Sequence, residues 1–136
     1  MENVLLILHE LQNKNPHNFL TEKDLIWVSK YLNVTYSQVY GVASYYTLFS
    51  LKPRGRHIIR VCRSPVCQML GSDRIFERIE LLFNLTCGAT TPDGRFTLEP
   101  TECIGQCHRA PCISVDDSIY GGTQLGDLEG FLNTSK

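Results

Sequence analysis

From residue 4 to about residue 49 the apolar positions recur with a helical period. Val4, Leu5, Leu8 and Leu11 share one face, and Pro16 ends that run. Thr21 followed three residues later by Asp24 has the form of a capping box, and Leu20 and Leu25 occupy the flanking hydrophobic-staple positions. Leu25, Val28 and Leu32 then line a second stripe, with Trp27 and Tyr31 beside it. Thr35 and Gln38 repeat the capping signal, with Val34 and Val39 in the staple positions. A third helix is predicted through Tyr46 to about Phe49. Three short helices of this kind predict a small bundle.

The run Lys52-Pro53-Arg54-Gly55-Arg56 breaks the pattern, so a domain boundary is predicted at 52/53. Beyond it, His57 to Val61 is a β-branched run that delivers Cys62 to the tip of a strand. Ile75, Phe76, Ile79, Leu82 and Phe83 mark an amphipathic helix. Asp93-Gly94 is a turn beside the extended stretch 95–98. Ile113 to Val115 and Ile119-Tyr120 read as strands around Asp116-Asp117. Leu125, Leu128 and Leu132 predict a closing helix with Thr123 as its N-cap. The expected fold class is therefore α/β: an N-terminal helical bundle, residues 1–52, then a four-stranded sheet with packed helices, residues 53–136.

Composition narrows the function. With 43% hydrophobic and 20% charged residues among 136, the chain can fold as an ordinary globular protein. Thirteen basic against fourteen acidic residues leave a net charge of −1, which argues against nucleic acid as the main partner. The longest aliphatic run, Val4 to Leu8, is too short to span a bilayer, and Glu2 stands where a signal peptide favours positive charge. A cytoplasmic protein without direct membrane insertion is expected. In that setting six cysteines read as metal ligands or redox groups rather than disulfide staples.

Cys62-x4-Cys67 is expected in the loop after the first strand and Cys103-x3-Cys107 in a later loop, with 35 residues between the pairs. Four thiolates from two converging loops suit a [2Fe–2S] cluster or a structural zinc. A plant-type ferredoxin would need cysteine where Leu70 stands, and a thioredoxin dithiol would need two residues between the cysteines rather than four. Spacing thus favours metal over dithiol chemistry and leaves iron and zinc open.

Several motifs go further. They are Val39-Tyr40-Gly41-Val42-Ala43-Ser44-Tyr45-Tyr46, Pro53-Arg54-Gly55-Arg56-His57, Ile59-Arg60-Val61-Cys62, residues 88–91, and Asp93-Gly94-Arg95-Phe96-Thr97-Leu98-Glu99. Glu102-Cys103-Ile104-Gly105-Gln106-Cys107, Ala110-Pro111 and Tyr120-Gly121 complete the set. With these the chain resembles the thioredoxin-like [2Fe–2S] subunit of NADH dehydrogenases. The same family includes the small peripheral-arm subunit of respiratory complex I and its counterpart in NAD-dependent and electron-bifurcating hydrogenases and formate dehydrogenases.

The resemblance implies a thioredoxin-like second domain and one [2Fe–2S] cluster on Cys62, Cys67, Cys103 and Cys107. It also implies a helical domain that grips a flavoprotein subunit carrying FMN, Fe–S centres and the NADH site, within a complex holding further Fe–S subunits. Consistently, no glycine-rich dinucleotide fingerprint is found; Gly121-Gly122 reads as a turn. The rival from another class is a zinc-stabilised interaction module without a redox role.

Between the first two ligands the family tends to small residues, whereas Arg63-Ser64-Pro65-Val66 stand here. Pro65 has no N–H to offer a cluster sulfur, which predicts a lowered potential. Cys87 and Cys112 are expected to be small buried hydrophobes, and His108 to face solvent. Among Trp27, Tyr31, Tyr45, Tyr46 and Phe49, several are expected in the core. Arg54, Arg56, Arg60, Arg63 and Arg109 are candidates to offset cluster charge or to form an ordinary solvated loop.

Overall fold

A computed structural model describes residues 3–122. The chain divides into two compact units, Met1–Arg56 and His57–Lys136.

The first unit contains α1 (Val4–Lys14), α2 (Glu22–Leu32) and α3 (Tyr36–Tyr45). Both capping boxes form: the Thr21 and Thr35 hydroxyls accept the N–H of Asp24 and Gln38, whose side chains accept in return from the cap N–H groups. The staple residues Leu20, Leu25 and Val39 are buried in one core with Val4, Leu8, Val28 and Ala43, and Val34 packs against it. Helix α3 ends at Tyr45, short of the expected Phe49, because Tyr46 turns to an extended conformation. Gln12 joins the core face of α1. Its amide donates to the Leu48 carbonyl (2.8 Å) and accepts from the Ser50 N–H (2.9 Å), tying the segment after α3 back to α1. Arg54 is buried as well; its Nε donates to the Asn18 carbonyl at 2.9 Å and its N–H to His17 at 2.8 Å. These bonds hold residues 53–56 to the helical unit, past the expected boundary at 52.

The second unit is a four-stranded mixed sheet with strand order β2-β1-β3-β4. Its strands are β1 (His57–Cys62), β2 (Phe96–Thr101), β3 (Cys112–Val115) and β4 (Ser118–Gly121). Strands β1 and β2 are parallel and need a crossover, which α4 (Pro65–Met69) and α5 (Ser72–Phe83) provide. Strand β3 runs antiparallel to both β1 and β4. Phe76 and Ile79 of α5 pack on Ile59, Val61, Phe96, Leu98, Ile113 and Val115. Leu81 and Leu82 of the same helix stay exposed.

Residues 88–91 lie along the outer side of β2. Gly88 donates to the Leu98 carbonyl, Leu98 to Ala89 and Thr91 to Phe96, while the Phe96 N–H donates to the Thr91 hydroxyl. The expected closing helix with Thr123, Leu125, Leu128 and Leu132 lies outside the described residues. Among the described residues, no helix is long and apolar enough to cross a membrane.

Candidate metal centre

The sheet topology brings the cysteines together. Parallel pairing sets Cys62 beside Thr101, so the loop leaving β2 begins next to the last residue of β1. Antiparallel β3 starts at that same end, with Cys112 as its first residue. Cys103 lies in the β2–β3 loop, and Cys107 opens a short 3-10 turn, Cys107–Arg109.

Cys67 is on a helix rather than in the expected loop. Ser64 is the N-cap of α4 and Pro65 its first residue, where the missing N–H leaves no intrahelical bond unmade. The Ser-Pro pair carried that signal in the sequence. Five residues, however, are too few to show a hydrophobic period.

The two pairs differ in setting. Cys62 and Cys67 are buried and pack with Cys112, flanked by Ile104 and Ala110. Cys103 and Cys107 are exposed, their sulfurs 3.4 Å apart. Hydrogen-bond donors converge on sulfur. The Ser64 hydroxyl lies 3.2 Å from Cys62 Sγ, and the Gly105 N–H donates to Cys103 Sγ at 3.4 Å.

Burial is the largest single influence on the Cys62 thiol and raises its pKa. The Ser64 hydroxyl and N–H, the Cys67 thiol and the Ile104 N–H together outweigh burial and hold it below the usual thiol value. Cys107 moves the other way. Its hydrogen bond with Cys103 and the nearby charges of Cys103, Cys67 and Cys62 all raise it, so the buried pair is felt at Cys107 of the exposed one. Among the described residues, no three His, Cys, Asp or Glu side chains stand grouped at metal-ligating positions. The donor set nevertheless fits a [2Fe–2S] cluster: four thiols, one pair buried and one exposed, with N–H groups aimed at sulfur.

The remaining expectations divide. Cys112 is buried as expected, whereas Cys87 is exposed, contrary to expectation. It stands in the turn after α5, beyond the packed face of that helix. His108 faces solvent. Trp27, Tyr31, Tyr45 and Tyr46 are exposed rather than core, because Leu25, Val28 and Ser29 fill the inner face of α2 and Val39 and Ala43 that of α3. Trp27 and Tyr31 stack on each other 4.9 Å apart, as do Tyr36 and Tyr40 at 6.1 Å.

Several arginines are engaged locally. Arg54 belongs to the helical unit, Arg60 pairs with Glu99 at 3.6 Å, and Arg63 reaches Asp73 at 3.1 Å while lying over the Phe76 ring. Sequence reasoning missed the role of Gly121. A Cβ there would stand 2.5 Å from the Arg109 carbonyl oxygen, so the glycine marks a close approach between β4 and the Cys107–Arg109 turn. It is the last residue of a strand, not part of a turn.

The family model for thioredoxin-like [2Fe-2S] ferredoxins matches residues 1–136. The chain belongs to that family. It is 31% identical over 129 residues to the NADP-reducing hydrogenase subunit HndA of Solidesulfovibrio fructosivorans, covering 95% of this chain and 74% of that one. It is 32% identical over 117 residues to an NADH-quinone oxidoreductase subunit of Aquifex aeolicus, covering 86% and 72%. Among solved structures, an NAD+-reducing [NiFe]-hydrogenase in the air-oxidized state shares the fold with a TM-score of 0.82 at 19% identity. The match covers 97% of this chain but only 22% of the hydrogenase chain. The thioredoxin-like α/β architecture expected for this ferredoxin is thus established.

Proposed function

We propose that this ferredoxin is the electron-transfer subunit of a multisubunit NAD(H)-linked oxidoreductase of the hydrogenase, formate dehydrogenase or NADH:quinone reductase type, electron-bifurcating forms included. It carries one [2Fe–2S] cluster on Cys62, Cys67, Cys103 and Cys107. Its neighbour is a flavoprotein subunit that holds FMN, Fe–S centres and the NADH site, and further Fe–S subunits complete the complex. The supporting observation is that two cysteine pairs, far apart in sequence, meet at one end of the sheet in a chain of this family.

Bound there, the cluster supplies one-electron carriage. The residues of this chain set its terms. The Ser64 hydroxyl and N–H and the Ile104 N–H stabilise negative charge on Cys62 Sγ, and the Gly105 N–H does so on Cys103 Sγ. The buried pair shields one side from water. The exposed pair gives a partner a short route for the electron.

The helical unit supports the docking role. Trp27, Tyr31, Tyr45 and Tyr46 lie exposed on it, and aromatic residues are enriched at protein interfaces. On this reading the helical domain, assigned to residues 1–52, holds the flavoprotein.

Metal analysis and EPR of anaerobically purified protein test the proposal. Two irons and two sulfides per chain, with a rhombic signal only after reduction, are expected. One zinc per chain and no signal, from iron-replete cells, refutes it in favour of the structural module.

A further inference from the structure

A fifth thiol packs against the buried pair. Cys112 is buried to 1% exposure and packs with Cys62 and Cys67 in one cluster. Its S–H donates to the Gln106 carbonyl at 3.1 Å, one residue ahead of Cys107. Cys112 therefore touches the buried pair through its sulfur and the exposed pair's loop through its hydrogen bond. Its backbone pairs with Gly121 of β4, and the residues after it in β3 pair on both sides.

We propose that Cys112 is a reserve ligand, able to take the place of Cys67 in holding the cluster; this rests on the ligand set proposed above. Cys67 and Cys112 approach the same space from different elements, α4 and β3. Replacing one by the other releases the Gln106 hydrogen bond of Cys112. The exchange is balanced. The iron–sulfur bond that Cys67 would make is made by Cys112, the Cys112 proton passes to solvent, and the number of thiolate ligands stays at four. The same packing explains how a thiol this close leaves the native set undisturbed: while Cys67 is present, the Cys112 proton is directed at a carbonyl and its sulfur is enclosed.

The experiment uses the full chain with anaerobic iron and sulfide loading of wild type, C67A, C112A and C67A/C112A. Bound iron, sulfide and the EPR spectrum of the reduced protein are the readouts. C112A is expected to load like wild type. C67A is expected to keep two irons per chain with a shifted spectrum, and the double variant to hold iron at least about tenfold more weakly than C67A. A loaded wild type beside a C67A as empty as the double variant overturns this proposal alone. A C67A/C112A that loads as well as C67A overturns it too. A wild type that takes up no iron overturns the ligand set and the reserve role together.

If C67A lacks the wild-type circular dichroism, the iron-free wild-type chain decides. Diamide takes two electrons and two protons from a pair of adjacent thiols to form a disulfide, and peptide mapping then identifies the pair. A Cys67–Cys112 bridge is expected. A map in which no Cys67–Cys112 bridge is found, whatever other pairs form, overturns the proposal.

Discussion

Gly121→Ala tests whether the end of β4 positions the Cys107 turn. Gly121 pairs with Cys112 in the sheet and faces Arg109, the last residue of that turn. The added methyl carbon would lie 2.5 Å from the Arg109 carbonyl oxygen, 3.0 Å from its Cβ and 3.3 Å from its carbonyl carbon. That is roughly 1 Å inside an ordinary carbon contact. The obstacle is backbone, which cannot rotate aside as a side-chain end would. Either β4 lifts from β3, straining the Gly122 N–H bond to the Pro111 carbonyl, or the turn moves and takes Cys107 with it.

Overpacking of this kind costs about 1–3 kcal/mol. The sheet unit spans His57–Lys136, so a cost near 2 kcal/mol lowers its melting temperature by about 10 °C. Calorimetry of the iron-free full chain measures this, and iron retention after loading shows whether Cys107 has shifted. Gly41→Ala is the control: a Cβ there meets nothing within 4 Å, and its site inside α3 predicts a gain of up to about 1 kcal/mol. A Gly121→Ala chain that melts with wild type and loads iron equally would refute the reasoning.

Gln12→Leu takes the acceptor from the Ser50 N–H and leaves the Leu48 carbonyl only its longer bond from Arg54 Nη2 at 3.4 Å, which should destabilise the helical unit by about 1–2 kcal/mol; unchanged denaturant unfolding would count against that role. Thr21→Ala removes one half of a capping box and should cost about 1 kcal/mol, read by thermal unfolding, with no loss speaking against the cap. Ser64→Ala takes a donor from Cys62 Sγ and should lower the cluster potential by on the order of tens of millivolts; an EPR-monitored titration showing a rise would contradict it. Pro65→Ala supplies an N–H at the start of α4 and should move the potential upward; no upward shift would remove Pro65 from the account.

What was legible in the sequence was local. Capping boxes involve residues three apart, so Thr21 with Asp24 and Thr35 with Gln38 could be read directly, staples included. The β-branched run ending at Cys62 marked β1 because its residues are buried on both faces. What escaped depends on partners distant in the chain. Gln12 is polar on an apolar face, and only the carbonyl and N–H of residues 48 and 50 make that position sensible. Trp27 and Tyr31 adjoin the apolar stripe of α2, yet the inner face was already filled by smaller residues. Gly121 resembled a turn glycine, while its constraint is the Arg109 backbone pressed against it. At the candidate centre the four cysteines could be singled out, but the approach of Cys112 required the antiparallel placement of β3.

The covered flank of β2 has a consequence for how the chain survives before any cluster is inserted. β2 is an edge strand, and an open edge invites a second molecule to add its own strand. Here the outward N–H groups of Phe96 and Leu98 are taken by Thr91 and Ala89, and the next outward position is Pro100, which has no N–H. A would-be recruit finds no free donor along that alternating row. An immature polypeptide can therefore accumulate and await its iron without polymerising through this edge.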